Sequence, residues 1–301
     1  HYIPEQDRAF FYQAYQDWGR RFAPVHLCRY GHLNQPEPRR RLRIGYISPD
    51  FYGHSVIYTL EPILDGHDRS RVELFGYGNV ANPDKTTERL QGKFDCYRSV
   101  RGQQAEAIAA QIRSDRIDIL VALAGHCAGN CLPVLAYKPA PIQVDIGSIS
   151  TTGVEQIDYR ITDETYDPPE TQALYTEELI YIPSGSISYR PPGESPPVGP
   201  LPAQSRGFIT FGSFNNLVKI NDHTLGLWCR VLQAVPDSRM ILKFQSGHDP
   251  GLQAYYKDCF ARYGICPDRI SITGELPYQQ HLAYFNRVDM LLDTYPFNGA
   301  I

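Results

Sequence analysis

No stretch of the 301-residue chain approaches the ~20 consecutive apolar residues that span a bilayer, and no signal-peptide pattern opens it. The default expectation is a soluble, cytoplasmic protein. A strong excess of either charge is also missing: the formal net charge of −4 gives no electrostatic reason to bind nucleic acid or an anionic membrane. The seven cysteines, odd in number and irregularly spaced, make no disulfide framework, so reduced thiols are expected. His126, Cys127 and Cys131 cluster, but no second pair completes a zinc spacing. No GxGxxG follows the first predicted strand, which leaves a dehydrogenase reading without its fingerprint. No Asp-x-Asp pair is present to hold a divalent ion on a nucleotide diphosphate, so metal-independent chemistry without a cofactor is expected.

What the chain does have is core material, at 42% hydrophobic residues over a length that suits two domains. Phe11, Tyr15, Trp18 and Phe22 recur at helical spacing within residues 4–22, which predicts a helix docked on a neighbouring domain. Residues 33–41, with Pro36, Pro38 and Arg39 to Arg41, read as a linker. From Leu42 strands and helices alternate. Strands are predicted at 42–48, 71–78, 117–124, 141–146, 157–163 and 178–183, with helices at 54–66 and 104–116. Residues 190–206 contain six prolines and almost no large apolar residue, so they read as an interdomain linker that joins neither core. Beyond them come strands at 207–212, 239–244, 269–273 and 289–293, and helices at 222–235, 250–263 and 277–287. The expected division is a helical preamble and linker over 1–41, a Rossmann-like domain over 42–189, the proline-rich linker, and a second, incomplete Rossmann-like domain over 207–301.

Open α/β sheets bind ligands in loops at the carboxyl ends of their strands, and several polar groups fall there. Asn215, Asn216 and Lys219 lie between the strand at 207–212 and a helix capped by Asn221 or Asp222. Two amides and an ammonium suit a phosphorylated ligand. His54 sits where the helix at 54–66 begins. A helix N-terminus disfavours imidazolium, so the ring would stay neutral and able to accept a proton. His126 follows a buried-looking strand between Gly125 and Gly129, which allow a ligand to approach the backbone closely.

SFNNLVKI, around Lys219, is similar to the segment that binds the sugar nucleotide's diphosphate in the O-GlcNAc transferase and SPINDLY family of protein glycosyltransferases. RLRIGYISPDFYGHSV, IDILVALAGHCAGN, KPAPIQV, TTGVEQIDYRITD and LLDTYPFNG resemble further family segments in the family's order, and together they cover most of the chain from Arg41. The resemblance implies a GT-B fold, two Rossmann-like domains facing a cleft that holds the active site. It implies an inverting transferase that moves a sugar from a nucleotide donor to protein Ser or Thr hydroxyls. UDP-GlcNAc is the first donor and GDP-fucose, used by the SPINDLY branch, the second; the rival reading is a non-catalytic sugar-nucleotide-binding scaffold.

Carried over residue by residue, the resemblance makes His54 the base or a substrate-positioning group, and Lys219 the cation on the departing diphosphate. Asn216 adds a neutral donor. His281 matches a nucleotide-pocket histidine, and Tyr278 stands where some members carry lysine and could stack on the base instead. Asp293, Thr294, Asn298 and Gly299 precede the helix whose N-terminus would face the diphosphate. His126, Thr151 and Thr152 fall on the cleft or acceptor side, next to DIGSIS at 145–150, where relatives carry a bulkier stretch. Acceptor proteins and a linked tetratricopeptide array outside this chain are the implied partners. Because the chain starts at His1 and stops at Ile301, a fragment is expected, inactive and poorly soluble by itself.

Overall fold

The computed structural model describes residues 3–28, 31–37, 39–191, 193 and 195–299. Pro38 of the expected linker, and Ala300 and Ile301 at the chain's end, lie outside the described residues. The chain forms two compact units, Asp7–Arg190 and His1–Gln6 with Pro191–Ile301.

The larger unit opens with α1 (Arg8–Phe22), capped by the Asp7 carboxylate on the Phe10 N–H. After it come β1 (Leu42–Ser48), α2 (Ile57–Gly66), β2 (Val72–Gly78), α3 (Lys85–Gln91), β3 (Cys96–Ser99) and α4 (Ala105–Ser114). Then follow β4 (Ile119–Ala122), α5 (Leu132–Leu135), β5 (Ile142–Asp145), β6 (Tyr159–Thr162) and β7 (Glu178–Tyr181). All seven strands pair in parallel in the order β3-β2-β1-β4-β5-β6-β7. A parallel sheet buries both faces, and alternation along each strand divides the apolar residues between two cores. Ile47, Phe75, Tyr77 and Leu120 meet Ile108 and Ile112 of α4 on one side, while Tyr46, Leu74 and Val121 meet Leu60 and Leu64 of α2 on the other. The chain reverses direction across the sheet between β1 and β4, which makes that gap the topological switch point.

α1, expected in a separate preamble, belongs to this larger unit. Gly19 and Gly153 explain why: a Cβ at Gly19 would overlap the Gly153 carbonyl, and one at Gly153, whose φ is +68°, would overlap the Tyr15 carbonyl. Backbone meets backbone there, and Trp18 packs on the core. The far end of the unit is pinned too. Pro62 lies inside α2 and has no N–H for the Tyr58 carbonyl. That carbonyl accepts instead from the Arg190 N–H at 2.9 Å, and the Arg190 guanidinium pairs with Asp65 at 2.6 Å.

The smaller unit contains α6 (Pro202–Arg206), β8 (Thr210–Ser213), α7 (Asp222–Ala234), β9 (Arg239–Lys243), α8 (Pro250–Arg262), β10 (Ile270–Thr273), α9 (Tyr278–Tyr284) and β11 (Met290–Leu291). Its parallel sheet runs β10-β9-β8-β11, with a switch point between β8 and β11. Phe211, Met240 and Leu242 pack on Trp228 and Leu232 of α7 and Phe260 of α8. The proline-rich stretch is not free of this unit, contrary to its reading as a linker that joins neither core. Asn286 accepts from the Gly199 N–H at 3.0 Å and donates to the Pro197 carbonyl, the Asp289 carboxylate accepts from the Ala203 and Thr210 N–H groups, and Pro202 is buried. Among the described residues no helix is long and apolar enough to cross a membrane.

Candidate active site

Asn215, Asn216 and Lys219 leave the carboxyl end of β8, and Asp293 to Gly299 leave that of β11, so the two loops meet at the smaller sheet's switch point. Asn216 caps a 3₁₀ turn, Leu217–Lys219, by accepting from the Val218 N–H, and Asn221 caps α7 by accepting from the Thr224 N–H at 2.8 Å. This short turn presents Lys219 to the second loop. Its Nζ donates to the Asn298 carbonyl at 2.8 Å and stands 4.6 Å from the centre of the Phe297 ring. An ammonium has three N–H donors, so two remain for a ligand. Burial lowers the Lys219 pKa, and the charge of Asp293 opposes that shift.

Asp293 organises the loop more than it faces a ligand. Its Oδ1 accepts from the Thr294 and Gly299 N–H groups, each at 2.8 Å, and from Asn215 Nδ2 at 3.3 Å. The Thr294 hydroxyl is likewise used inside the loop, donating to the Phe297 carbonyl, and the Trp228 indole N–H holds the Asp293 carbonyl. A Cβ at Gly299 would come 2.8 Å from Asn215 Oδ1 and push that amide aside.

His281 and Tyr278 reach the same rim on α9. Phe214, which the sequence reading passed over, joins them to the loop: its ring lies 6.2 Å from His281 and 4.8 Å from Phe285. Burial, and then the charge of Lys243, push the His281 imidazole below its ordinary pKa. Its Nδ1 is buried with no hydrogen-bond partner among the described residues, an arrangement that invites a ligand group. Tyr278 is exposed.

In the larger unit the loops after β1 and β4 likewise border the switch point. α2 starts at Ile57 rather than at residue 54, because Ser55 and Val56 form a turn ahead of it. His54 is exposed in that turn, and its Nδ1 accepts weakly from the Val56 N–H at 3.3 Å. A neutral ring so bonded carries its proton on Nε2 and offers a donor there. To take a proton, it must give up the Val56 contact, either by protonation at Nδ1 itself or by exchanging tautomers so that Nε2 becomes the acceptor. Asp50, four residues earlier, was not singled out from sequence; burial pushes its carboxyl up while the charge of His54 opposes the shift.

His126 is sandwiched by α1. Tyr15 stacks on it at 4.4 Å and Trp18 meets it edge-on at 4.7 Å, while Nε2 is 2.8 Å from the Thr152 carbonyl. Burial lowers its pKa. Thr151 and Thr152 are fully buried, with both hydroxyls donating to the Glu177 carboxylate, so their side chains hold this loop together rather than line an open face. Among the described residues no three His, Cys, Asp or Glu side chains are grouped to hold a metal ion.

These loops and sheets have close relatives. A variant of the Thermobaculum terrenum O-GlcNAc transferase superposes with a TM-score of 0.94 at 34% identity, covering 100% of this chain and 57% of that one. The SPINDLY protein of Solanum lycopersicum, described as a "Probable UDP-N-acetylglucosamine–peptide N-acetylglucosaminyltransferase", is 38% identical over 305 residues, 99% of this chain and 33% of its own length. The SEC protein of Arabidopsis thaliana, described in the same words, is 31% identical over 272 residues, 86% of this chain and 27% of its own length. The chain thus spans a third or less of these plant relatives. The sequence profile of glycosyl transferase family 41 matches residues 21–187 and 201–301, and the chain belongs to that family.

Proposed function

We propose that this chain is the catalytic region of a protein glycosyltransferase, transferring a sugar, N-acetylglucosamine first, from a nucleoside diphosphate to Ser or Thr hydroxyls. The observation that carries the reading is the meeting of the Asn215–Lys219 and Asp293–Gly299 loops at a switch point, with an ammonium offering two unused donors. The relatives' own descriptions supply the sugar and the peptide acceptor. The acceptor oxygen attacks the anomeric carbon as the bond to the diphosphate breaks, with inversion. Lys219 and the Asn216 amide meet the charge that builds on the departing diphosphate, which replaces the need for a divalent ion. His54 receives the hydroxyl proton or positions the hydroxyl, and His281 and Tyr278 hold the nucleoside. His126 lies toward the acceptor. The tetratricopeptide array belongs to the longer protein. All seven cysteines are free thiols, which suits a reducing cytoplasm.

GDP-fucose is the second donor, since the SPINDLY relatives are more similar to this chain than SEC is. A thermal-shift comparison of UDP and GDP separates the two. The cognate nucleotide at 100 times its Kd is expected to add about 2.7 kcal/mol, and a protein that neither nucleotide stabilises would not be a transferase of this kind.

Nucleotide affinity should also depend on pH. The diphosphate binds the protonated Lys219, whose folded pKa is lowered by burial. Affinity is therefore expected to hold at neutral pH and to fall as alkali is added, starting below the ordinary lysine value of 10.5. Calorimetric titrations across the alkaline range would show it, and a Lys219→Arg protein should keep its affinity further into alkali.

A further inference from the structure

At the carboxyl ends of β6 and β7 the larger unit holds a hollow of about 600 Å³, lined by Tyr166, Tyr181, Ile182, Pro183 and Ile187 with Asp163 and Glu164. Its walls are fixed in place. Asp163 accepts from the Thr165 and Tyr166 N–H groups on one wall, and from the Ser186 N–H and hydroxyl on the other. Tyr166 and Ile187 nevertheless remain 41% and 58% exposed. The charge around it is acidic. Asp163, Glu164, Asp167 and Glu170 lie within one segment, against two cations: Arg160, shared between Asp145 and Asp167 and 5.8 Å from the centre of the Tyr166 ring, and Arg8, whose charge also acts on Tyr166. Glu164 is exposed and makes no ion pair among the described residues.

We propose that this hollow docks the acceptor polypeptide, seating an apolar residue against Ile187 and Tyr166 and a neighbouring basic residue against Glu164. The inference rests on the transferase reading for its choice of guest. The sheet order sets the distance to the chemistry. From β1, whose loop carries His54, β6 is three neighbours away and β7 four. At ~4.8 Å per strand that is roughly 14–19 Å, and an extended chain rising ~3.3 Å per residue covers it in about four to six residues. The basic residue therefore sits about five positions from the hydroxyl that receives the sugar. Arg160 already stands 5.8 Å from the centre of the Tyr166 ring, whereas Tyr181, the other ring of the lining, sits in the field of Glu164 and Glu170 and suits a lysine or arginine whose methylenes lie on the ring while its charge meets the acid.

Fluorescence anisotropy on the full-length parent protein tests this, using labelled peptides with one serine and an isoleucine-lysine pair at varied spacing on either side. Binding is expected to be tightest at a spacing of about five residues on one side. Glu164→Lys is expected to weaken that peptide about tenfold and to recover binding of a peptide with glutamate in place of the lysine. Glu164 is exposed, so the melting temperature should not change. Indifference to spacing, or an unchanged Kd in Glu164→Lys, overturns the proposal. So does sedimentation showing that Glu164→Lys instead separates a dimer, which would make a second copy the guest. Because binding is read without sugar transfer, docking can hold where the transferase reading fails, and the reverse.

Discussion

Lys219→Ala is expected to slow sugar transfer about 10²–10³-fold, the loss seen when one fixed group that stabilises transition-state charge is removed. Stability should change far less. Lys219 gives up one hydrogen bond to a carbonyl and one ring contact, together about 1–2 kcal/mol before solvent screening of a half-buried group. The melting midpoint should fall by a few degrees and the fold should persist. A second substitution separates charge from shape: Lys219→Met keeps most of the side chain's length and contact with Phe297 but has no donor, so it should be nearly as slow as alanine. Transfer at the wild-type rate in both variants, with normal melts, would remove Lys219 from the mechanism.

The largest loss of stability is expected from Gly19→Ala. Two effects compete at this position and their magnitudes decide the sign. Alanine is favoured over glycine inside a helix by about 1 kcal/mol, so an exposed site would gain. Here the new Cβ overlaps the Gly153 carbonyl, and both partners are backbone, which cannot rotate away. Overpacking of that kind costs about 1–3 kcal/mol, and the helix must lift to relieve it, at further cost to the packing of Trp18. With the helix gain subtracted and the lost Trp18 packing added, we expect a net loss of about 1–2 kcal/mol in urea unfolding of the larger unit. Lifting α1 also separates Tyr15 from His126, so the His126 imidazole, no longer buried, should titrate nearer its ordinary value by NMR. A stabilised variant would mean that α1 does not sit on the Gly153 turn.

The elements legible in the sequence are those whose burial is written in their own residues. β1, β2 and β9 are apolar runs, and α7 and α8 carry their stripes, so their ranges agree to within a residue or two. α3 and β3 were invisible because the helix buries only Thr87 and Leu90 and the strand is a partly exposed sheet edge. The Asp84 and Thr87 capping box was the signal available there. The docked path of residues 197–206 depends on Asn286 and Asp289, which lie some 90 positions away and carry no mark of that task. In the smaller unit the loop polar residues could be read from strand-to-helix punctuation, and there Asn215 meets Asp293 and Lys219 meets the Asn298 carbonyl. Phe214 and Glu177 were missed for a shared reason: each acts by what it touches, and nothing in its own neighbourhood of sequence names the partner.

The order β10-β9-β8-β11 repeats the order β3-β2-β1-β4 of the other sheet. Counted this way, each chemical loop has a counterpart at the same address in the other unit: the Asn215–Lys219 loop corresponds to the one bearing His54, and the Asp293–Gly299 loop to the one bearing His126. On the function proposed above, one architectural plan used twice would serve opposite ends, an anion in one copy and a proton in the other. Such a division of labour leaves each copy free to drift by itself. On that proposal, a change of donor nucleotide is expected to fall chiefly on residues of the smaller unit, and a change of acceptor on residues of the larger.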